Sequence, residues 1–572
     1  MGGPDAVAGR PRETGGRNSR RRLRIVLGFS AAALAAIVYA NGLAGPFVYD
    51  DHITVLHNPS LTDLSNTRFI AVYSLYRPFV NVSYALDRMI WGFVPFGFHL
   101  TNLALHIAVV LLFHRLCIRF LEDTAGDAGD VEWPAFFAAA LYAVHPMMTE
   151  GVEYISGRSE LLCAIGFLSA LLFARDAVLT GSRAAVLAGI GAGIFAYGSK
   201  ETAAALPVVL LASDAWIFGR DSWKRRVWTL YLPLFLATAA GALIRLRTLL
   251  RFEPEMHRSI HDNLLTQPIV LWRYLALMAM PAGQTIMHSV RFTTSIVDPY
   301  SWFSICAFAF LIGYAILERR KYPMAAVGLL WFLVGVVPSS ILPLREGMAE
   351  HRVYVASGGL FLSLAAIFAK PLASSRTARA AAAILLAVCG WLTIQRNIVW
   401  RDPRRIWAEA VHHSPNTWPP HYGYADALRE KGECDRAIPE YQTVLQLSPD
   451  HRDALTNLGI CYAQTNQFGD AERTFTELIT RYPEWSRGYS NFGTMEVARG
   501  NYERGRRFYL EAFKRNPQTV IARMGLADLD ERVYHDYRSA AKLCDEVRGI
   551  DPTVAGAKEC SERNWRKVSD GK

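Results

Sequence analysis

No CxxC pair and no Cys/His metal spacing occurs in this chain of 572 residues, so neither a zinc module nor a thioredoxin-type redox motif is expected. Eight cysteines are present. Cys117, Cys163, Cys306 and Cys389 fall in apolar runs and read as packing residues. Cys434, Cys461, Cys544 and Cys560 lie in a polar region. An oxidising compartment would permit Cys434–Cys461 and Cys544–Cys560 bridges there; four free thiols are the alternative. No small-x-small cleavage site precedes "FVYDD", so the first apolar run, "IVLGFSAAALAAIVYANGLAG", reads as a retained span rather than a signal peptide. No platform of interleaved aromatic and basic residues accompanies the net charge of +10. Much of that excess sits in "GRPRETGGRNSRRRLR", directly before the first span. That placement argues for a cytoplasmic, membrane-flanking tail and against a nucleic-acid partner. Finally, long apolar runs almost disappear after residue 396, although 51% of the chain is hydrophobic.

That last absence divides the chain. Candidate spans lie at 25–45, 98–120, 133–148, 158–175, 184–199, 201–218, 226–247, 299–317, 323–343, 353–370 and 377–396. A further patch, "QPIVLWRYLALMAMP" (267–281), is short and interrupted by Arg273. With "RRRLR" inside, the connections "RDAVLTGSR", "GRDSWKRR" and "KPLASSRTAR" also fall inside. "ERRKY" joins them only if 267–281 does not cross. The expectation is therefore an all-α chain with about 11 spans plus a re-entrant or interfacial helix, and with the C-terminal half outside the cytoplasm. The divisions are a basic cytoplasmic tail (1–24), a membrane domain (25–396), a connecting helix (397–415), a repeat domain (416–556) and a C-terminal tail (557–572).

The repeat is read from register. Pro415, Pro449, Pro483 and Pro517 recur every 34 residues. Small residues keep the same period (Ala425, Gly459, Gly493; then Ala437, Ala471, Gly505), as do the aromatics Tyr441, Phe475 and Tyr509. This is the pattern of a tetratricopeptide repeat (TPR). Small residues let two helices approach, the aromatic fills the gap to the next unit, and proline ends the second helix. Three units are clear, and a degraded fourth, closing at Pro552, acts as cap. The concave face of such a solenoid normally binds peptide.

With that sidedness, "YDDH", "HPMMTE", "SKE" and "EHRVY" all fall at the outer ends of spans. Ionisable groups near hydrocarbon are functional candidates. His99, Asn102 and His106 sit on one face of a helix, at i, i+3 and i+7. His145, Glu150, Glu153, Arg158 and Glu160 follow the third span. Lys200 and Glu201 lie between the fifth and sixth. "REGMAEHRVY" adds Arg345, Glu350, His351, Arg352 and Tyr354. Carboxylates and cations gathered on one side suit an anionic, lipid-linked substrate and a polar acceptor. Cations would hold a phosphate, and a carboxylate would take a proton from an attacking hydroxyl.

"FVYDDHITVLHNP", "YRPFVNVSYALDRMIWG", "FHLTNLALH", "AVHPMMTEGVEYISGRSELL", "SKETAAALP" and "EHRVYVASGGL" together resemble the membrane domain of the transmembrane-and-TPR protein O-mannosyltransferases. The resemblance runs in order over most of residues 41–370, with the repeats in the same place. It implies a GT-C-like glycosyltransferase domain and a polyprenyl-phosphate sugar donor, the sugar being mannose. It implies transfer with inversion to Ser or Thr hydroxyls of exported proteins presented by the TPR domain. Asp50 and Asp51 stand where the family has its acidic pair, one as general base. Arg352, Lys200 and Arg158 are candidates for the donor phosphate. His106, His145 and Glu150 match the family pattern, and Glu201, Glu350 and Tyr354 complete the candidate set. No metal and no cofactor is expected, because the phosphate is already bonded to the sugar. The short outer connections favour a bacterial inner membrane, with the catalytic loops and repeats periplasmic. The rival readings are a non-enzymatic TPR scaffold and a GT-C enzyme acting on a glycan or lipid.

Overall fold

The computed structural model of the chain describes residues 14–125, 130–218, 224, 226–252, 259–295, 297–341, 343–344, 346–551 and 554–571. The first 13 residues of the basic tail, Arg345 and Pro552 lie outside them. The described residues form helices and no strand, in two compact units, Met1–Ile406 and Trp407–Lys572.

In the first unit, eight helices are long and apolar enough to cross a membrane among the described residues. These are Asn18–Tyr39, Pro95–Thr124, Ile155–Thr180, Glu201–Phe218, Val227–Thr248, Pro299–Glu318, Pro323–Ile341 and Arg376–Trp400. Three expected spans fold as shorter helices: Glu132–Val144 (13 residues), Arg183–Tyr197 (15) and Tyr354–Ile367 (14). At 1.5 Å per residue they reach only about 20–22 Å. Glu132–Val144 stops because His145 turns extended before Pro146. The patch at 267–281 belongs to a longer helix, Ile260–Ala279, whose N-cap Ser259 accepts from the Asp262 amide.

The core is built where helices carry apolar residues all round. Glu132–Val144 buries eleven of its residues. Pro323–Ile341 and Tyr354–Ile367 touch backbone to backbone at Gly328 and Gly359, where a methyl on either would strike the other's carbonyl oxygen. Without a hydrophobic drive between helices in lipid, such small-residue contacts are what bring helices together. By contrast Val227–Thr248 and Pro299–Glu318 bury only 17% of their apolar windows, and Phe235, Leu236, Phe303 and Phe310 stand exposed. Such faces belong in hydrocarbon, consistent with a membrane protein.

The second unit is a stack of helical hairpins. The pairs are Trp418–Glu430 with Cys434–Leu447, Arg452–Gln464 with Phe468–Arg481, Ser486–Ala498 with Tyr502–Arg515, and Val520–Arg532 with Tyr537–Ile550. A Cβ on Gly459 would lie 2.7 Å from the Phe475 ring, and one on Gly493 2.8 Å from Tyr509. The periodic small residues thus face the periodic aromatics. Cys434 is bonded to Cys461 and Cys544 to Cys560. Residues 557–572, expected as a tail, instead contain the helix Ala557–Ser569. Ala557, Cys560, Ser561 and Asn564 form its buried stripe, and this helix caps the fourth hairpin.

Candidate active site

The site is assembled from three turns that the sequence separates widely. The first, Pro46–Asp51, follows the first long helix. Asp51 is fully buried and accepts three hydrogen bonds: from the Val48 amide (3.0 Å), the Ser156 amide (2.8 Å) and Ser156 Oγ (2.6 Å). It ties the first turn to the second, residues 153–158. Asp50 is exposed, and its amide donates to Tyr154 Oη at 3.0 Å. The chain reverses at Tyr49, whose φ of 51° is left-handed. For a bulky residue that conformation costs on the order of 1–3 kcal/mol.

The polar face of Pro95–Ala125 fixes the second turn. Asn102 Nδ2 donates to the carbonyls of Val152 (3.1 Å) and Tyr154 (3.3 Å). Its Oδ1 accepts from Arg158 Nε at 2.8 Å. Arg158 itself is fully buried and paired with Asp87 at 2.6 Å. It also donates to the Phe98 carbonyl at 2.9 Å. The guanidinium expected to hold a phosphate is therefore engaged inside the bundle, because the helix that carries it turns it inward from its first residue.

The third turn, 346–353, meets the second through Glu150. That carboxylate accepts from the Glu350 amide (2.9 Å) and lies against His351 Nδ1 (2.6 Å). Glu350 accepts from Gln284 Nε2 (2.7 Å) and the Thr285 amide (2.8 Å), and His288 Nε2 is 2.9 Å away. Arg352 donates to the Glu346 carbonyl (3.0 Å) and faces its carboxylate at 3.5 Å. Glu346 in turn accepts from Tyr49 Oη at 2.9 Å, which closes the ring back to the first turn. From behind, Ile260–Ala279 grips the same loop: Gln267 donates to the Gly347 carbonyl (3.2 Å) and Tyr274 to that of Ala349 (2.8 Å).

Electrostatics separate the carboxylates. Burial raises Asp51 to about 7, against the pull of the Ser156 and Val48 hydrogen bonds. Burial raises Glu150 to about 8, aided by the negative charge of Glu350 and Glu346. For Glu350 burial works upward too, but the hydrogen bond to His288 and the Arg396 charge outweigh it and hold it below the ordinary range. His351 is pushed down to about 3, by burial first and then by Lys200. Of the aspartate pair, Asp50 is exposed and Asp51 is fully buried.

The other candidates lie around this ring. Lys200 pairs with Glu160 at 2.9 Å, near enough to act on His351. Glu201 takes both oxygens to Arg77, at 3.1 and 3.0 Å. His106 and Tyr354 join each other at 2.6 Å, fully buried, and His145 lies 3.0 Å from the Met278 carbonyl. These three hold helices together beneath the site. Sequence reasoning missed Tyr49, Tyr154 and Glu346, each adjacent to a residue that it did select, and Ser156, two positions before Arg158. It also missed Gln284 and His288, which follow the interrupted patch and carry no local signal.

A sequence profile of the tetratricopeptide repeat matches residues 428–490. Protein O-mannosyl-transferase TMTC1 of Homo sapiens is 25% identical over 520 residues, covering 77% of this chain and 58% of the relative. TMTC1 of Mus musculus is 23% identical over 579 residues (77% and 60%). Tmtc3 of Drosophila melanogaster is 24% identical over 556 residues (82% and 60%). The chain spans 58–60% of the length of these relatives. Over about three quarters of its own length, this chain, with its three-turn ring of acidic and basic side chains and its TPR unit, is a relative of the TMTC-type protein O-mannosyl-transferases.

Proposed function

We propose that the chain is a GT-C-like, integral-membrane mannosyltransferase. It would move mannose from a polyprenyl phosphate to Ser or Thr hydroxyls of exported proteins, with the solenoid supplying the acceptor-binding surface. The observation that carries this reading is the convergence of an exposed Asp50, on a turn pinned by the buried Asp51, with Arg352 across the shared Glu346. A scaffold needs no such arrangement.

In this reading Asp50 takes the proton of the acceptor hydroxyl. The oxygen attacks the anomeric carbon, the bond from that carbon to the phosphate oxygen breaks, and the configuration inverts. The polyprenyl phosphate leaves with the bonding pair, and Arg352 holds its charge. Asp51 positions the turn. No metal is needed in this reading, because Arg352 faces the anionic leaving group. Arg158 drops out as a phosphate ligand on the strength of its buried pair with Asp87. Lys200 is buried in its pair with Glu160 and drops out as a phosphate ligand on the same ground.

The setting goes with the mechanism. The chain would cross a bacterial inner membrane about 11 times if the three helices of 13–15 residues cross with the eight long ones, with its N-terminus cytoplasmic and Ile260–Ala279 re-entrant or interfacial. The two bridged cysteine pairs of the solenoid support placing that unit on the oxidising side.

The test is Asp50→Asn in purified full-length protein, with a polyprenyl-phosphate mannose donor and a Ser/Thr peptide. Loss of a general base typically costs about 10²–10⁴-fold in rate, so turnover should fall by that factor while donor binding persists. Undiminished transfer by well-folded Asp50→Asn protein would sink the assignment.

A further inference from the structure

We infer that Tyr49 and Glu346 are positioning residues which lock the turn carrying Asp50 to the cation Arg352 through one shared carboxylate. This rests on the reading of Asp50 as base and Arg352 as the phosphate cation. One oxygen of Glu346 accepts from Tyr49 Oη at 2.9 Å, and the other faces Arg352 Nη2 at 3.5 Å. Arg352 Nη1 donates to the backbone carbonyl of the same residue at 3.0 Å. Two loops 297 residues apart in sequence are thus joined at a single side chain.

The backbone points the same way. Among the described residues, three non-glycine positions have positive φ: Tyr49, Asn466 and His535. Asn466 and His535 sit between the helices of solenoid hairpins, where a left-handed residue commonly ends a helix. Tyr49 is the one in the membrane unit. It bends the chain so that the Val48 amide meets Asp51 (3.0 Å) and the Asp50 amide meets Tyr154 Oη (3.0 Å). A strained conformation persists where its surroundings over-determine it. The hydroxyl bond to Glu346 reaches Tyr49 from the far loop. Glu346 in turn stands on a braced frame: a Cβ on Gly347 would lie 2.9 Å from the Phe292 ring, and Gln267 holds the Gly347 carbonyl at 3.2 Å.

The experiment measures kcat and the donor KM on the full chain in nanodiscs, with polyprenyl-phosphate mannose and a Ser/Thr peptide. Tyr49→Phe removes one oxygen and should lower kcat by about 10–100-fold, as expected for a reacting group displaced by about 1 Å, with little change in donor KM. Glu346→Ala should lower kcat to a similar degree and also raise donor KM, because Arg352 loses its partner. Glu346→Gln, which still accepts from Tyr49, should recover most of the lost kcat. The double variant Tyr49→Phe/Glu346→Ala should be no slower than Glu346→Ala alone, since both remove one bond. Wild-type turnover by Tyr49→Phe, or losses that multiply in the double variant, overturns the inference. Asp50→Asn separates the two levels. Full activity there removes the base assignment itself. An inactive Asp50→Asn beside a wild-type Tyr49→Phe removes only the positioning role.

Discussion

Arg158 and Arg352 look alike in sequence, each a cation at the outer end of a span, and the fold gives them different surroundings. Arg158 is fully buried in a 2.6 Å pair with Asp87, while Arg352, also buried, faces the Glu346 carboxylate of the ring of turns at 3.5 Å. Removing one member of a buried ion pair strands the other charge and costs about 3–5 kcal/mol. Arg158→Ala should therefore lower the thermal midpoint and the yield of folded protein. Arg352→Ala should fold and instead weaken donor binding; equal melting curves for wild type and Arg158→Ala would refute the contrast. Asp51 carries a pH signature. Its folded pKa, about 7, lies above the ordinary carboxylate value of 3.8. Between those values the folded state holds more protons than the unfolded one, so the Asp51 contribution to stability falls as pH rises from about 4 to 7. Asp51→Asn loses the Val48 contact but also loses this dependence. Its melting temperature should gain on wild type across that window, and a constant difference would count against a raised Asp51.

Among the elements, the solenoid helices are the most legible. Their 34-residue register follows from one rule, a small residue opposite an aromatic, and the hairpins obey it at Gly459 and Gly493. Gly459→Ala places a methyl 2.7 Å from the Phe475 ring and should destabilise the solenoid by about 1–3 kcal/mol, the usual cost of overpacking. Urea denaturation of the full chain, read through solenoid tryptophans such as Trp485, would check it; an unshifted midpoint would mean that the helices part freely. The terminal helix Ala557–Ser569 was not legible, because its stripe of Ala, Cys, Ser and Asn is too weakly apolar to announce a helix. Its bridge from Cys560 to Cys544 and the packing of Ala557 supply what hydrophobicity does not. The membrane helices split similarly. Long apolar runs such as Pro95–Ala125 were plain. Helices of 13–15 residues were overestimated, since apolar turns continue a hydropathy signal past the point where Pro146 or Gly198 ends the helix.

For the whole molecule, the charge pattern makes a definite statement about which side each connection faces. Reporter fusions after residue 320 should read cytoplasmic and fusions after residue 415 periplasmic. A cytoplasmic reading at 415 would make Ile260–Ala279 a crossing helix and invert everything after it. The sequence by itself determined the division into apolar and repetitive halves, the all-helical class, the hairpin register, and the three acidic and basic stretches that meet. Each of these is a local matter of periodicity, composition or charge, set by residues within a few turns of one another. The tertiary structure alone decided which charges face outward. Asp50 and Asp51 are neighbours, yet a hydrogen-bonded turn from a loop a hundred residues away buries one and leaves the other exposed. Arg158, His106 and Tyr354 became packing residues for the same reason: burial is a property of what the rest of the chain brings to a position, and no local pattern encodes that.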